Sequence, residues 1–381
     1  MIYIFTFLGE FGFELFNWQG VIRKFAQTIS PTDKIVCCSR ANLYPLYETA
    51  AAYIDISEVE LFQQNRACGY WCFPTQSSVP NPIKLWAFER RLKAQIKSFV
   101  LNQLRRTNKI SANDSYKFVF SCDKLKINGC QFGSSKRSVR FALSKVYWKL
   151  KSAFPAVDEQ IVWLRWVLFK TIKSLETHNA RRDGDIYDLL DLSNNIFKKI
   201  EADLTVLPTV QEQLGWLEKP FVLCQARQRD IPQVSEDILP KEKLGQLIEA
   251  LAGEVNVVLL SFNSGRWLDS YSSFKDYSGC FHYHCSSFPE QACLIHFAKH
   301  CLFFTEGDLG SHTYVPPFMG KDVTLVAPRS IYQLESAPID FWNQKVFRFG
   351  GQMIPIASEE AFSSKDSLRA LVDDILKRSL A

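Results

Sequence analysis

At 381 residues, with 47% hydrophobic and 22% charged side chains, the chain is longer than one hydrophobic core usually supports, and two domains are expected. No stretch reaches the roughly 20 apolar residues of a bilayer-spanning helix. The nearest, 161–172, is broken by Arg165 and Lys170. The net charge of +5 conceals an asymmetry: residues 84–182 hold 22 Lys and Arg against 6 Asp and Glu, a surplus of 16, which leaves the rest of the chain at −11. A basic middle on an acidic body calls for an anionic partner: a membrane surface, an acidic glycan or a nucleic acid.

The N-terminus meets Glu10 without a basic leader region and reads as a strand, not a signal peptide. The eleven cysteines are odd in number, two of them are adjacent (Cys37, Cys38), and several sit in apolar runs (Cys122, Cys224, Cys301). Reduced core thiols of a cytoplasmic protein account for that pattern better than disulfides do.

The first lobe opens with a strand at 2–7, turns through Gly9 and Gly12, and enters a helix with Leu15, Trp18, Ile22 and Phe25 on one face. A strand at 34–39, a short helix at 43–51 and an extended piece at 53–56 follow. Helices rich in Lys, Arg, Trp and Phe are expected at 83–104 and 139–174, with a strand at 117–122 between them and a further helix at 186–204. The second lobe alternates more cleanly: strands at 221–225, 255–261, 301–305 and 323–327, helices at 241–251 and 289–300. Strand–helix alternation implies parallel sheets. The last helix, 365–380, carries an apolar stripe (Leu368, Leu371, Val372, Ile375, Leu376) and is expected to cross back onto lobe one. The domains are then 1–205, with the basic helical insertion 84–182, and 206–364, with 365–381 as the crossing helix.

Three segments could carry chemistry. Gly9-Glu10-Phe11-Gly12-Phe13-Glu14 stands where the first strand meets the first helix. Glycines there let backbone N–H groups approach a ligand, and helix N-termini favour negative charge. The pattern is neither a dinucleotide fingerprint nor a P-loop, and a plain tight turn with Glu14 as a first-turn acid fits equally well. In Phe221–Asp230, a core strand runs directly into Gln225, Arg227, Arg229 and Asp230 at the edge of a sheet where α/β proteins bind ligands. Arginines there can grip phosphate or carboxylate, and Asp230 beside them stays ionised. The bland alternative is a solvated loop with Asp230 paired to an arginine. The strand at 301–305 repeats the geometry, leading into Glu306-Gly307-Asp308-Leu309-Gly310-Ser311-His312. Glu306 could accept sugar hydroxyls, Gly310 and Ser311 offer backbone donors, and His312 adds another. Ser311 as a simple N-cap is compatible with that role.

Weaker signals recede on inspection. Asp183-Gly184-Asp185 has the spacing of a cation-holding pair but follows Arg181-Arg182, and N-capping explains it better. Cys280, His282, His284, Cys285, His296 and His300 lack the close spacing of a zinc site. No G-x-S-x-G elbow supports a hydrolase.

The glycine turn after strand one and the glycine-led helix expected at Gly310 and Ser311 late in lobe two resemble the GT-B glycosyltransferases. The segments Gly-Glu-Phe-Gly-Phe-Glu-Leu, Gln-Ala-Arg-Gln-Arg-Asp and Glu-Gly-Asp-Leu-Gly-Ser-His look like the bacterial retaining β-Kdo transferases, which move 3-deoxy-D-manno-oct-2-ulosonic acid (Kdo) from a CMP-β-linked donor. The resemblance implies an α/β, GT-B-like fold of two Rossmann-like lobes with a central cleft and a helical basic insertion in the first lobe. It implies Asp230 as the carboxylate that forms a covalent sugar adduct, with Arg227 or Arg229 on the Kdo carboxylate or donor phosphate and Ser311 and His312 on the departing CMP. Glu10 or Glu14 would be the acceptor-side base. No metal or resident cofactor is implied. The acceptor would be a polysaccharide or a lipid-linked glycan, with the basic segment peripheral at the inner face of the membrane. Two other readings remain open: a fucosyltransferase-like enzyme using a GDP-sugar, and a non-catalytic anion-binding protein.

Overall fold

A computed structural model describes residues 1–8, 11–64, 82–111, 114–121, 125–132, 195–215, 220–227, 241–262, 278–305, 311–329 and 339–380. The chain divides into two compact units, residues 1–41 with 49–196, and residues 42–48 with 197–381.

In the first unit β1 (Ile2–Thr6) leads through a short helical turn at Phe11–Phe13 and a π-helical turn at Glu14–Trp18 into α1 (Gln19–Ala26). Strands β2 (Lys34–Ser39) and β3 (Ala52–Asp55) follow, then the long helix α2 (Pro82–Arg106) and β4 (Tyr116–Phe120). All pairings are parallel and the order is β3-β2-β1-β4. The strands are near-continuous apolar runs because both faces are covered. On one face Ile2, Ile4, Val36, Ile54 and Phe120 meet Leu92, Ile96, Val100 and Leu104, a stripe repeating every fourth residue along α2. On the other, Phe5 packs with Trp18, Phe25 and Phe132, and Phe132 also meets Trp18 and Phe25. Phe132 arrives on a hairpin of β5 (Leu125–Ile127) and β6 (Cys130–Phe132), joined by Asn128 and Gly129 at φ 47° and 79°. Positive φ at both central positions gives the turn whose twist suits a hairpin, and Asn-Gly is the pair that adopts it most readily.

The second unit contains β7 (Phe221–Arg227), α3 (Lys241–Ala252), β8 (Asn256–Phe262), β9 (Cys280–Cys285), α4 (Phe288–Phe297), β10 (His300–Thr305), β11 (Val323–Ala327), β12 (Met353–Ala357) and α5 (Lys365–Leu380). Its six strands are parallel in the order β12-β11-β10-β7-β8-β9. Counted from the first strand of the unit, this is the Rossmann order 3-2-1-4-5-6. Two parallel-sheet α/β units are therefore present, as the strand–helix alternation predicts.

Several expectations need correction. The apolar stripe of α5 does not leave for lobe one: Leu371, Val372 and Ile375 are buried in the second unit's core with Leu244, Leu247 and Leu251 of α3 and with Val222, Cys224 and Phe304 of the sheet. Residues 195–203 carry no helix or strand. The Ile196 N–H donates to the carbonyl of Gly20 (3.1 Å) and the Ile200 N–H to that of Phe318 (2.9 Å), so tertiary partners replace the helical ladder. The short helix expected at 43–51 is a single 3₁₀ turn, Tyr44–Leu46. It belongs to the second unit, where the Tyr44 hydroxyl donates to the Asp203 carboxylate. Besides residues 42–48, the second unit comprises residues 197–381. The helix expected at 139–174 and the Asp183–Asp185 pair lie outside the described residues.

No helix among the described residues is long and apolar enough to cross a membrane.

Candidate functional site

In the second unit the chain builds outward from β7 on one side to β8 and β9, then returns to the other side with β10. The carboxyl ends of β7 and β10 therefore flank the point where the strand order reverses, the position at which open α/β sheets bind ligands. Thr305, the last residue of β10, pairs in register with Arg227, the last of β7. The two segments singled out in the sequence, 225–230 and 306–312, thus leave the same sheet edge from adjacent strands.

Gln225 is half-buried on β7, paired with Phe303 and Leu260 on its two sides. Arg227 closes the strand. Gln228, Arg229 and Asp230, together with Glu306 and Gly310, lie outside the described residues. Ser311 opens a 3₁₀ turn, Ser311–Tyr314, that runs into the short helix Val315–Phe318, so the helix expected at Gly310 is brief.

His312 in that turn is half-buried, and its Nδ1 lies 2.9 Å from Oε1 of Gln291 on α4. Gln291 is 1% exposed, and nothing in the sequence marks it: it is one polar residue in a helix whose residues 288–295 are all buried. Gln225, Gln291, His312 and Thr313 line one small recess between this face of the sheet and α4. Thr313 is buried, and its Oγ1 has no hydrogen-bond partner among the described residues.

The N-terminus of α4, which carries Gln291, is held firmly. Ser287 caps it by accepting from the Glu290 N–H, and the Ser287 hydroxyl donates in turn to the Glu290 carboxylate (2.8 Å). Glu290 also accepts from the Ser286 N–H (3.1 Å) and the Tyr283 hydroxyl (3.0 Å). Burial by itself would raise its pKa, but the hydrogen bonds from Ser286, Ser287 and Tyr283 outweigh it and hold the carboxyl below its ordinary value. Burial, with Glu290 beside it, drives the Tyr283 phenol upward.

The first unit has the same reversal between β1 and β4. There the Leu8 N–H donates to Ser121 Oγ (2.9 Å) and the Ser121 N–H to the Thr6 carbonyl (2.9 Å), which ties the two strand exits together. Glu10 lies outside the described residues. Glu14 opens the π turn and is 0% exposed. A general base must come within hydrogen-bond reach of its substrate, so any such role for Glu14 requires the 9–18 entry to open. Asn17 and Asn195 close the neighbouring side through a 3.1 Å hydrogen bond.

The other candidates resolve into ordinary structure. Cys280, His282, His284 and Cys285 form β9, His296 packs edge-on against Phe297, and His300 begins β10 with Nε2 at 2.8 Å from Thr324 Oγ1. Among the described residues no three His, Cys, Asp or Glu are gathered as metal ligands would be. Burial lowers the pKa of His300 to about 4, which keeps the ring neutral. The described cysteines are free. Burial pushes Cys38, Cys285 and Cys301 up to about 12 and Cys293 to about 11, far from the thiolate range of reactive cysteines.

No protein-family model and no curated protein matches the chain. Solved structures similar along its length include E. coli heptosyltransferase WaaC with ADP, at 11% identity and TM-score 0.46, covering 99% of each chain. E. coli ADP-heptose lps heptosyltransferase II is 10% identical at TM-score 0.48, covering 98% of this chain and 99% of that one. The UDP-GlcNAc 2-epimerase of Methanocaldococcus jannaschii is 9% identical at TM-score 0.41, covering 99% and 93%. Likenesses this remote carry no argument about the chemistry of this chain.

Proposed function

We propose that the chain is a glycosyltransferase that moves Kdo from CMP-β-Kdo to a polysaccharide or lipid-linked glycan acceptor with retention of configuration. The observation that supports this best is the pairing of Thr305 with Arg227: the two segments that resemble β-Kdo transferases issue from neighbouring strands at the reversal point of a Rossmann sheet. A third such segment follows β1, at the reversal point of the other sheet.

In this reading an Asp230 oxygen bonds to the anomeric carbon as the bond to the CMP phosphate breaks, with one inversion. The acceptor hydroxyl oxygen then attacks that carbon, its proton passes to a base, and the bond to Asp230 breaks with a second inversion. Arg227 and Arg229 neutralise the Kdo carboxylate or the phosphate, while His312 and Ser311 hold the phosphate as it departs. Gln225, Glu306 and Gly310 complete the donor side, and Glu10 or Glu14 supplies the base. The charge to be stabilised is met by arginine and hydrogen-bond donors, and the chemistry calls for no resident metal or cofactor. The exposed side of α2, with Arg91, Arg105 and Arg106 opposite the buried stripe, would face an anionic membrane surface at the cytoplasmic side.

The test is an intact-mass measurement after incubation with CMP-Kdo and no acceptor. A gain of one Kdo residue, absent in Asp230→Ala, supports the covalent route. Stabilisation of the protein by GDP or UDP, with CMP-Kdo neither bound nor consumed, would overturn the donor assignment.

A further inference from the structure

We propose that Asn343 closes the free edge of the second sheet, so that β12 cannot pair with β12 of a second copy of this chain. The proposal is independent of the reaction assigned above. β12 is the outermost strand, and its sequence, Met-Ile-Pro-Ile-Ala, holds no charged residue. An apolar edge with unpaired N–H and C=O groups is a template for another strand, and lysine on the edge is a common protection that this strand lacks. Backbone alternation shows which groups are at stake. The Val323 N–H of β11 donates to the Gln352 carbonyl (2.9 Å). Gln352, Ile354 and Ile356 therefore turn their backbone groups towards β11, while Met353, Pro355 and Ala357 turn theirs away.

Both outward groups of Met353 are occupied. Its N–H donates to Asn343 Oδ1 and its carbonyl accepts from Asn343 Nδ2, each at 2.8 Å. A carboxamide so placed reproduces the two reciprocal bonds that a residue of an antiparallel neighbour would make. Its orientation is fixed, because only the amide nitrogen can face a carbonyl. Next along the edge, the exposed Pro355 has no N–H to give. Ala357 then becomes the N-cap of the short helix Ser358–Ala361, where the strand stops. Asn343 itself is firmly mounted. It rides on the π turn Trp342–Val346, closed by the Phe347 N–H on the Trp342 carbonyl (2.8 Å). The fully buried Trp342 ring stacks on Phe347 and meets Tyr314. π turns are uncommon, and this one delivers a polar side chain to the single mid-edge position that Pro355 leaves unprotected. An asparagine that only anchored its own turn would have no need to take both backbone groups of that one residue.

The experiment has two arms, both on the full-length chain. In the wild type, amide hydrogen exchange followed by NMR should find the Met353 N–H protected like the amides that face β11, although it points off the sheet. Exchange of Met353 at the rate of a solvent-exposed amide overturns the proposal, and that measurement depends on no variant. The second arm is sedimentation velocity at rising protein concentration. Asn343→Ala combined with Pro355→Val should gain a species of double the wild-type mass, its share growing with concentration. Asn343→Ala combined with Pro355→Lys should not, since like charges would meet across the pairing edge. Pro355→Val alone, with Asn343 in place, should sediment as the wild type does. If the first combination has the wild-type circular dichroism and gains no larger species, the edge does not need closing and the proposal fails. Association of the lysine combination to the same extent would place the contact on another surface. Association of Pro355→Val alone to the same extent would remove Asn343 from the account.

Discussion

Thr305 and Arg227 lie opposite one another at the carboxyl ends of the two central strands of the second sheet, each the last residue of its strand. Whatever these strands present is therefore presented together, and changes on one exit should be felt at the other.

Arg227→Ala should weaken CMP-Kdo binding by tenfold or more, because a charged hydrogen-bond partner is worth about 1.5–3 kcal/mol. Asp230→Ala should leave CMP binding near wild type while abolishing transfer. Calorimetry with CMP and a transfer assay on the same preparations check the split. Loss of CMP binding in Asp230→Ala would argue for a structural part for that carboxylate.

Gly20→Ala should destabilise the first unit by about 1–3 kcal/mol, the usual cost of forcing atoms into a filled site. A Cβ there would stand 2.6 Å from Asn195 Oδ1, on the turn of α1 whose carbonyl receives the Ile196 N–H. Chemical denaturation of Gly20→Ala beside Gly253→Ala, whose nearest neighbour would be 3.8 Å away, measures the difference.

Ile375→Ala should cost the second unit about 2–5 kcal/mol, since the side chain is fully buried between α5 and the sheet. If α5 instead served only as a surface cover, the loss would stay below about 1 kcal/mol. Equilibrium unfolding in urea distinguishes these outcomes.

Stability should depend on the state of His300. Its folded pKa is depressed to about 4 by burial, below an ordinary value of 6.5. The unfolded chain therefore binds the proton first: the contribution is intact above pH 6.5 and is lost as pH falls towards 4, by about 3 kcal/mol in all. His300→Gln should flatten the stability curve across that window relative to wild type. Equal slopes in the two proteins would show that other groups carry the acid sensitivity.

Charge reversal at Arg91, Arg105 and Arg106 should abolish co-sedimentation with vesicles containing phosphatidylglycerol, at about 1 kcal/mol per basic residue near the surface. These residues are exposed, so the fold should be unaffected. Binding that persists in the triple variant, or that is equal on phosphatidylcholine, would rule out this face.

The strands were readable because parallel strands covered on both faces leave continuous apolar runs such as Cys-Leu-Phe-Phe in β10. The strand exits followed, since Arg227 and Thr305 mark where those runs stop. The destination of α5 was not readable: an apolar stripe says that a helix must be covered, not which sheet covers it. The helix expected at 186–204 is absent over 195–203, where Ile196 and Ile200 each spend the N–H on a distant carbonyl. Gln291 was invisible for the same reason. Its meaning lies in a histidine 21 positions away that only the fold brings within 2.9 Å.

The sealed thiols have a practical consequence. Cys38 stands in the first unit and Cys224 and Cys301 in the second, all buried and all with raised pKa values. Each can react with an alkylating reagent only when its own sheet comes apart. Timed labelling followed by peptide mass analysis would therefore record the opening of the two halves as separate clocks in the unmodified protein, without an introduced probe.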